Sequence, residues 1–148
     1  MNEIGYSPKN LKFDQEGRDK LVKGISTIAA AVKSTLGPSG QTVLIESPHH
    51  THGITVTKDG VTVAKAVDLL DPTENLAVRM MKQAADNTAT SAGDGTTTAI
   101  VLTEALVKQG DALMDDTTNR AEVLREIVKE TENVISQLKK SSKCAVNP

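Results

Sequence analysis

The stretch Gly93-Asp94-Gly95-Thr96-Thr97-Thr98 sets a carboxylate between two glycines and directly before three consecutive threonines. A helix beginning at the threonines would expose unpaired backbone N–H groups and the positive end of its dipole. Glycine allows the backbone to approach an anion closely, and threonine hydroxyls add donors. Together these are the means by which proteins cradle phosphate. An aspartate in the same turn would repel bare phosphate, but it suits a bridging Mg²⁺, which takes one or two carboxylates plus phosphate oxygens. The competing reading is an ordinary helix start with Asp94 or a threonine as N-cap, although three threonines in a row are poor helix formers.

Two other segments could join that site. Thr35-Leu36-Gly37-Pro38-Ser39-Gly40 follows a long helical pattern, and its Gly and Pro can hold a loop against a ligand or simply stop the helix. Lys58-Asp59-Gly60 puts a cation and a carboxylate beside a turn, where they could contact phosphate and orient water. Asp-Gly turns are common, so the last signal is weak by itself. Neither segment fits the P-loop pattern, which needs Lys-Ser or Lys-Thr after its final glycine, and the Rossmann fingerprint is missing.

The elements that would position these segments are mostly helical. After an irregular lead-in to about Gln15, Leu21, Ile25, Ile28, Ala29, Val32 and Leu36 recur at steps of three and four, predicting a helix over Glu16–Leu36. Thr42–Glu46 and Ile54–Lys58 read as the strands of a hairpin with a long loop holding His49, His50 and His52. Val61–Ala66 fits a short helix or a strand equally well. A helix then runs to about Ser91, with Thr73 as its expected N-cap and Leu76, Met80, Met81, Ala84 and Ala85 as its buried stripe. A further helix over Thr96–Gln109 would bury Ala99, Ile100, Thr103, Leu106 and Val107. Gly110–Asn119 reads as a polar connection with some helical content. Thr118 or Asn119 would cap a last helix with the stripe Val123 or Leu124, Ile127, Val128, Thr131, Val134 or Ile135, and Leu138. The expected fold class is mainly α, a helical bundle with one β-hairpin.

Composition narrows the function. Of the 148 residues 38% are hydrophobic but only 1% aromatic, so the core must be aliphatic and stacking platforms for single-stranded nucleic acid are lacking. The formal charge of −2, with both signs interspersed, argues against a phosphate-backbone binder. Lys139, Lys140 and Lys143 read as a solvated helix end. Cys144 is the sole cysteine, so no internal disulfide can form. No apolar run reaches the ~20 residues that span a bilayer, and Met1–Asn10 is too polar for a signal peptide. A cytoplasmic protein with no membrane partner is expected. The loop histidines lack an accompanying Cys or carboxylate and read as incidental.

Taken in order, the segments resemble the group I, GroEL-type chaperonins over nearly the whole chain. The resemblance rests on Lys12-Phe13, on Thr35-Leu36-Gly37-Pro38, on Thr57-Lys58-Asp59-Gly60-Val61, on Glu74-Asn75 and on the octapeptide Ala92-Gly93-Asp94-Gly95-Thr96-Thr97-Thr98-Ala99. It implies the N-terminal portion of the equatorial ATP-binding domain over residues 1–140, with residues 141–148 a hinge toward an intermediate domain. It implies ATP as ligand, with Thr35, Leu36, Gly37 and Pro38 lining its phosphates and Gly95, Thr96, Thr97 and Thr98 wrapping them. Asp94 would hold Mg²⁺, Lys58 would sit at the phosphate and monovalent-cation end, and Asp59 would support hydrolysis near the γ-phosphate. Thr35, the Lys58 backbone and Thr97 are candidates for a K⁺ site.

The implied partners are neighbours in a homo-oligomeric ring, unfolded client proteins bound through other domains, and, in some members, a co-chaperonin. Ser39 stands where the family usually has a basic residue, which removes one positive charge near the site. Adenine contacts, client-binding surface and a further catalytic aspartate are expected in segments other than this one, so these 148 residues alone should not turn over ATP. A different reading is a naturally short chaperonin-like protein that acts as an interaction or assembly module without ATPase activity.

Overall fold

The computed structural model describes residues 10–46, 53–115 and 117–142. They form α1 (Gln15–Lys33), β1 (Val43–Glu46), β2 (Ile54–Thr57), α2 (Gly60–Ala66), α3 (Pro72–Ala92), α4 (Thr96–Leu113) and α5 (Arg120–Ser141). The fold is the mainly α arrangement with one antiparallel hairpin that the sequence leads one to expect. The chain divides into two units, Met1–Gln109 and Gly110–Pro148.

In the first unit α1 packs chiefly on α3. Asp14 caps α1, its Oδ1 accepting the Gly17 N–H at 2.9 Å. The helix ends at Lys33 rather than at the expected Leu36. There the Thr35 and Leu36 amides reach back only three residues, to Val32 O and Lys33 O, which tightens the last turn out of α geometry. Leu36 consequently lies outside the apolar stripe and is half exposed.

The core is aliphatic, as composition requires. It joins Ile28, Ala29 and Val32 of α1, Val63 and Ala64 of α2, Val78, Met81 and Ala85 of α3, and Ile100 of α4, with Val43 and Ile45 of β1 packed against it. The α1–α3 contact is nearly backbone to backbone. A Cβ on Gly24 would fall 2.3 Å from the Glu74 carbonyl oxygen and 3.1 Å from Ala77 Cβ. Beside that crossing, Lys20 bonds Asp71 at 2.7 Å and Lys23 bonds Glu74 at 2.7 Å.

This crossing sets the rotation of α3. The residues buried are Ala77, Val78, Met81 and Ala85, whereas the expected Leu76, Met80 and Ala84 are exposed. The small Ala77 lets α1 come close, and that places Leu76 and Met80 on the outer face. The N-cap is Asp71, not Thr73: its Oδ1 accepts from the Thr73 and Glu74 amides at 2.8 and 3.2 Å, with Pro72 at the first helical position. Gly93, at φ 76°, closes the helix in the left-handed conformation.

The segment whose pattern fits helix or strand equally forms a helix. Asp59 caps it through the Val61 and Thr62 amides, and Val63 and Ala64 are buried. The hairpin pairs Val43 with Thr57, Leu44 with Val56, Ile45 with Thr55 and Glu46 with Ile54. Val43 and Ile45 turn inward, and Leu44, Val56 and Ile54 are exposed. The loop with His49, His50 and His52 lies outside the described residues.

In the second unit the expected polar connection is helical to Leu113, where α4 ends. Asp115 then organises a turn by accepting from Thr117 N, Thr117 Oγ1 and Thr118 Oγ1. Asn119 caps α5. The α5 stripe forms as a row, yet no residue of the helix is buried, so Leu124, Ile127, Val128, Val134, Ile135 and Leu138 all remain open. Cys144 and the proposed hinge lie outside the described residues, except for its first two positions. Among the described residues no helix is long and apolar enough to cross a membrane.

Two outcomes follow from the α1–α3 crossing. Gly24→Ala should lower unfolding stability by about 1–3 kcal/mol in urea denaturation, because a backbone carbonyl must move, even though alanine is the better helix former. Lys20 holds the Asp71 carboxyl down to about 2, against an ordinary value of 3.8. A carboxyl depressed on folding stabilises the fold above its unfolded value and loses that contribution as pH falls through the folded one. Asp71→Asn keeps a good cap but removes the charge, so melting temperature should depend less on pH between about 4 and 2 in the variant than in the parent protein.

Candidate functional site

The first site segment is held by its own backbone. Ser34 Oγ donates to Ala31 O at 2.6 Å and Thr35 Oγ1 donates to Val32 O at 2.8 Å, so both hydroxyls keep lone pairs for another partner. Gly37 adopts φ 79°, and the Gly40 amide donates to Gly37 O at 3.0 Å. A Cβ on Gly40 would lie 2.3 Å from Thr35 O, so the loop is coiled tightly on itself. Gln41 N–H donates to Ser34 O at 2.7 Å and closes it. Leu36, Gly37 and Pro38 are exposed on it.

Lys58 and Asp59 link β2 to α2, and both are exposed. Asp59 Oδ2 accepts from Thr62 N at 3.0 Å and Thr62 Oγ1 at 2.6 Å, and Oδ1 accepts from Val61 N at 3.2 Å. The Thr62 hydroxyl, with the two amides, holds this carboxyl below the usual aspartate range. The capping role was not read from the sequence. An Asp followed two and three residues later by amides of a helix is its signal. Asp59 is therefore an ionised acceptor in fixed orientation, suited to aligning water or a cation and poorly suited to donating a proton.

The third segment does not form an ordinary capped helix start. Asp94 Oδ1 accepts from the Gly95 amide at 2.7 Å rather than from the first turn of α4, and the Gly95 carbonyl accepts from Ala99 N–H at 2.9 Å. Among the described residues the amides of Thr96, Thr97 and Thr98 have no partner. Three donors at the positive end of an 18-residue helix are thus without a protein partner among the described residues, next to an exposed carboxylate.

The second and third segments meet at Gly60, beside the end of α1. A Cβ there would fall 2.2 Å from Thr97 Oγ1 and 3.3 Å from Val32 Cγ1. The turn carrying Lys58 and Asp59 therefore abuts the first turn of α4 and the last turn of α1, three residues before Thr35. Two further residues on the same face of α4 fasten it: Ile100 enters the core, and Glu104 is buried and bonded to Lys33. The expected inner face of α4 is thereby corrected. Thr96, Ile100 and Glu104 are buried, while Leu106 is exposed. Glu104 was missed because a carboxylate reads as a surface residue. Lys108 four positions later was the available hint. Among the described residues no cluster of three or more His, Cys, Asp or Glu could by itself hold a metal.

This helical unit, with its glycine–threonine helix start facing a Lys-Asp-Gly turn, belongs to the TCP-1/cpn60 chaperonin family, whose family model matches residues 28–147. The chain is similar to the chaperonin gp146 from the bacteriophage EL 2 (Pseudomonas aeruginosa), solved in the presence of ATP-BeFx. In its crystal form II the TM-score is 0.73 at 32% identity over 85% of this chain and 22% of that one. In crystal form I it is 0.57 at 38% identity over 63% of this chain and 16% of that one. The chain thus spans about a fifth of the length of the chaperonin it matches.

The junction at Gly60 is open to a direct test. Gly60→Ala should destabilise the protein by about 1–3 kcal/mol in urea denaturation, and adding Thr97→Ala should recover part of the loss by removing the hydroxyl that the new methyl meets. Equal stabilities for Gly60→Ala with and without the second change would place the clash elsewhere.

Proposed function

We propose that this chain is the phosphate-gripping part of the ATP site in the equatorial domain of a group I chaperonin, a ring-forming ATPase that assists protein folding. The observation that carries the reading is the meeting at Gly60 of the Lys58–Gly60 turn, the first turn of α4 and the end of α1 just before Thr35, with the amides of Thr96, Thr97 and Thr98 unpaired among the described residues. That gp146 was solved with ATP-BeFx supports it.

In this reading the α4 N-terminus and the threonine hydroxyls bind phosphate oxygens, and Leu36, Gly37 and Pro38 line the opposite side. Lys58 adds positive charge. Asp94, exposed in the preceding turn, fits a Mg²⁺ ligand, because a hard cation takes a carboxylate together with phosphate oxygens. Bound there, Mg²⁺ would neutralise charge on the phosphates. Asp59, held ionised by its cap, orients the attacking water as an acceptor. Thr35 Oγ1, whose O–H donates to Val32 O, can offer lone pairs to K⁺, with the Lys58 carbonyl and Thr97 Oγ1 as companions.

The exposed Leu44–Val56 pair and the open hairpin edges suit strand addition by a ring neighbour. Client capture and any co-chaperonin contact belong to other domains. The reading as a short interaction module without ATPase activity shares these surfaces and differs in nucleotide dependence.

Asp94→Ala and Thr97→Ala in the intact protein should each weaken Mg·ADP binding by roughly tenfold or more, measured by calorimetry, since each removes a charged or preorganised contact. Unchanged affinity in both would refute the assignment. Residues 1–148 alone should release phosphate from ATP at the background rate.

A further inference from the structure

Glu104 is a buried carboxylate for which the roles above have no use. Its side chain is 5% exposed, and each of its oxygens meets one cation: Oε1 accepts from Lys108 Nζ at 2.8 Å, and Oε2 accepts from Lys33 Nζ. The two cations stand in different places. Lys108 lies one turn along the same helix, so its bond neutralises the carboxylate without joining elements. Lys33 is the last residue of α1, so its bond crosses from α4 to α1.

Lys33 is also held at its other end. Its carbonyl accepts the Leu36 N–H at 3.1 Å, at the start of the loop that lines the candidate site, and the next carbonyl, of Ser34, accepts from Gln41 and closes that loop. Glu104 shares the face of α4 that carries Thr97 and Ile100, about 10 Å of helix rise beyond Thr97. One side chain thus links the helix whose N-terminus presents three open amides to the residue from which the Thr35–Pro38 loop springs.

We propose that the Lys33–Glu104 ion pair is a positioning device for the nucleotide site, setting the spacing between the α4 N-terminus and the Thr35–Pro38 loop so that both reach the same phosphates. The proposal rests on the ATP reading above. Burial raises the cost of breaking the pair, because a carboxylate left in the interior without its cross-element partner pulls toward solvent or toward a substitute cation. Phosphate grip is sensitive to such a shift, since donors must stand within about 0.5 Å of their productive positions.

Lys108 supplies the control, since it bonds the same carboxylate from within α4. In the intact protein, Lys33→Met and Glu104→Gln should each weaken Mg·ADP binding by roughly 5- to 30-fold, with the double variant no worse than the weaker single. Lys33→Arg should restore affinity to within about threefold of the parent. Lys108→Met should change melting temperature but leave affinity within about twofold. All are titrated by calorimetry at a temperature where circular dichroism shows each variant folded. If Lys33→Met fails to fold, the isosteric Glu104→Gln carries the test. Unchanged affinity in Glu104→Gln, or an equal loss in Lys108→Met, overturns the positioning role and leaves a purely structural salt bridge. If Asp94→Ala leaves Mg·ADP binding unchanged as well, the ATP reading itself has failed. If Asp94→Ala weakens binding while Lys33→Met does not, only the positioning role has failed.

Discussion

The contact of Gly60 with Thr97 and Val32 is the constraint on which the rest of the first unit depends. There is room at that point for a hydrogen and not for a methyl group. A hairpin exit therefore meets side chains from the end of one helix and the start of another, and the residues that flank them share one neighbourhood. Close packing of this kind is rigid, because interiors at crystal-like density leave no slack to absorb a displaced atom. Rigidity suits a site built from several weak donors, since donors already in place need no reordering when a ligand arrives.

A second close contact, Gly24 against the Glu74 backbone, does comparable work between α1 and α3. Both glycines sit where small size, rather than left-handed freedom, is required. In a chain with almost no aromatic residues this is how a core reaches native density: helices approach closely over Gly and Ala, and Ile, Val and Met fill what remains. The ion pairs Lys20–Asp71, Lys23–Glu74 and Lys33–Glu104 then fasten helix to helix at points the core does not cover. Of the three, the pair at Glu104 has the most buried carboxylate, so it is the one in which losing a partner matters most.

The second unit shows the opposite balance. α5 is a well-capped helix with a continuous apolar row, and none of that row is buried. Amphipathicity of this strength belongs to a helix that packs against something. The same holds for the outer face of the hairpin at Leu44 and Val56.

Element type was legible wherever local physics decides it. The cap at Thr118 or Asn119, the breakers at Gly37 and Gly93, the 3.6-residue periodicity and the alternation in the strands all act within a few residues, so the long helices and the hairpin could be read directly, while Val61–Ala66 fitted helix and strand equally. The octapeptide around Asp94 and the Lys58–Gly60 turn marked the candidate site for the same reason. Which face each helix buries was less accessible. Leu76, Met80 and Leu106 are apolar yet exposed, while Ala77 and Glu104 are buried, because the orientation of α3 and α4 is set by Gly24, Gly60 and Lys33 on other elements. Residue type and spacing were enough to mark the candidate segments and the chemistry their residues could do. That the Lys58–Gly60 turn touches the first turn of α4, and that Lys33 reaches Glu104 across 71 residues of chain, came from packing, which no local pattern encodes.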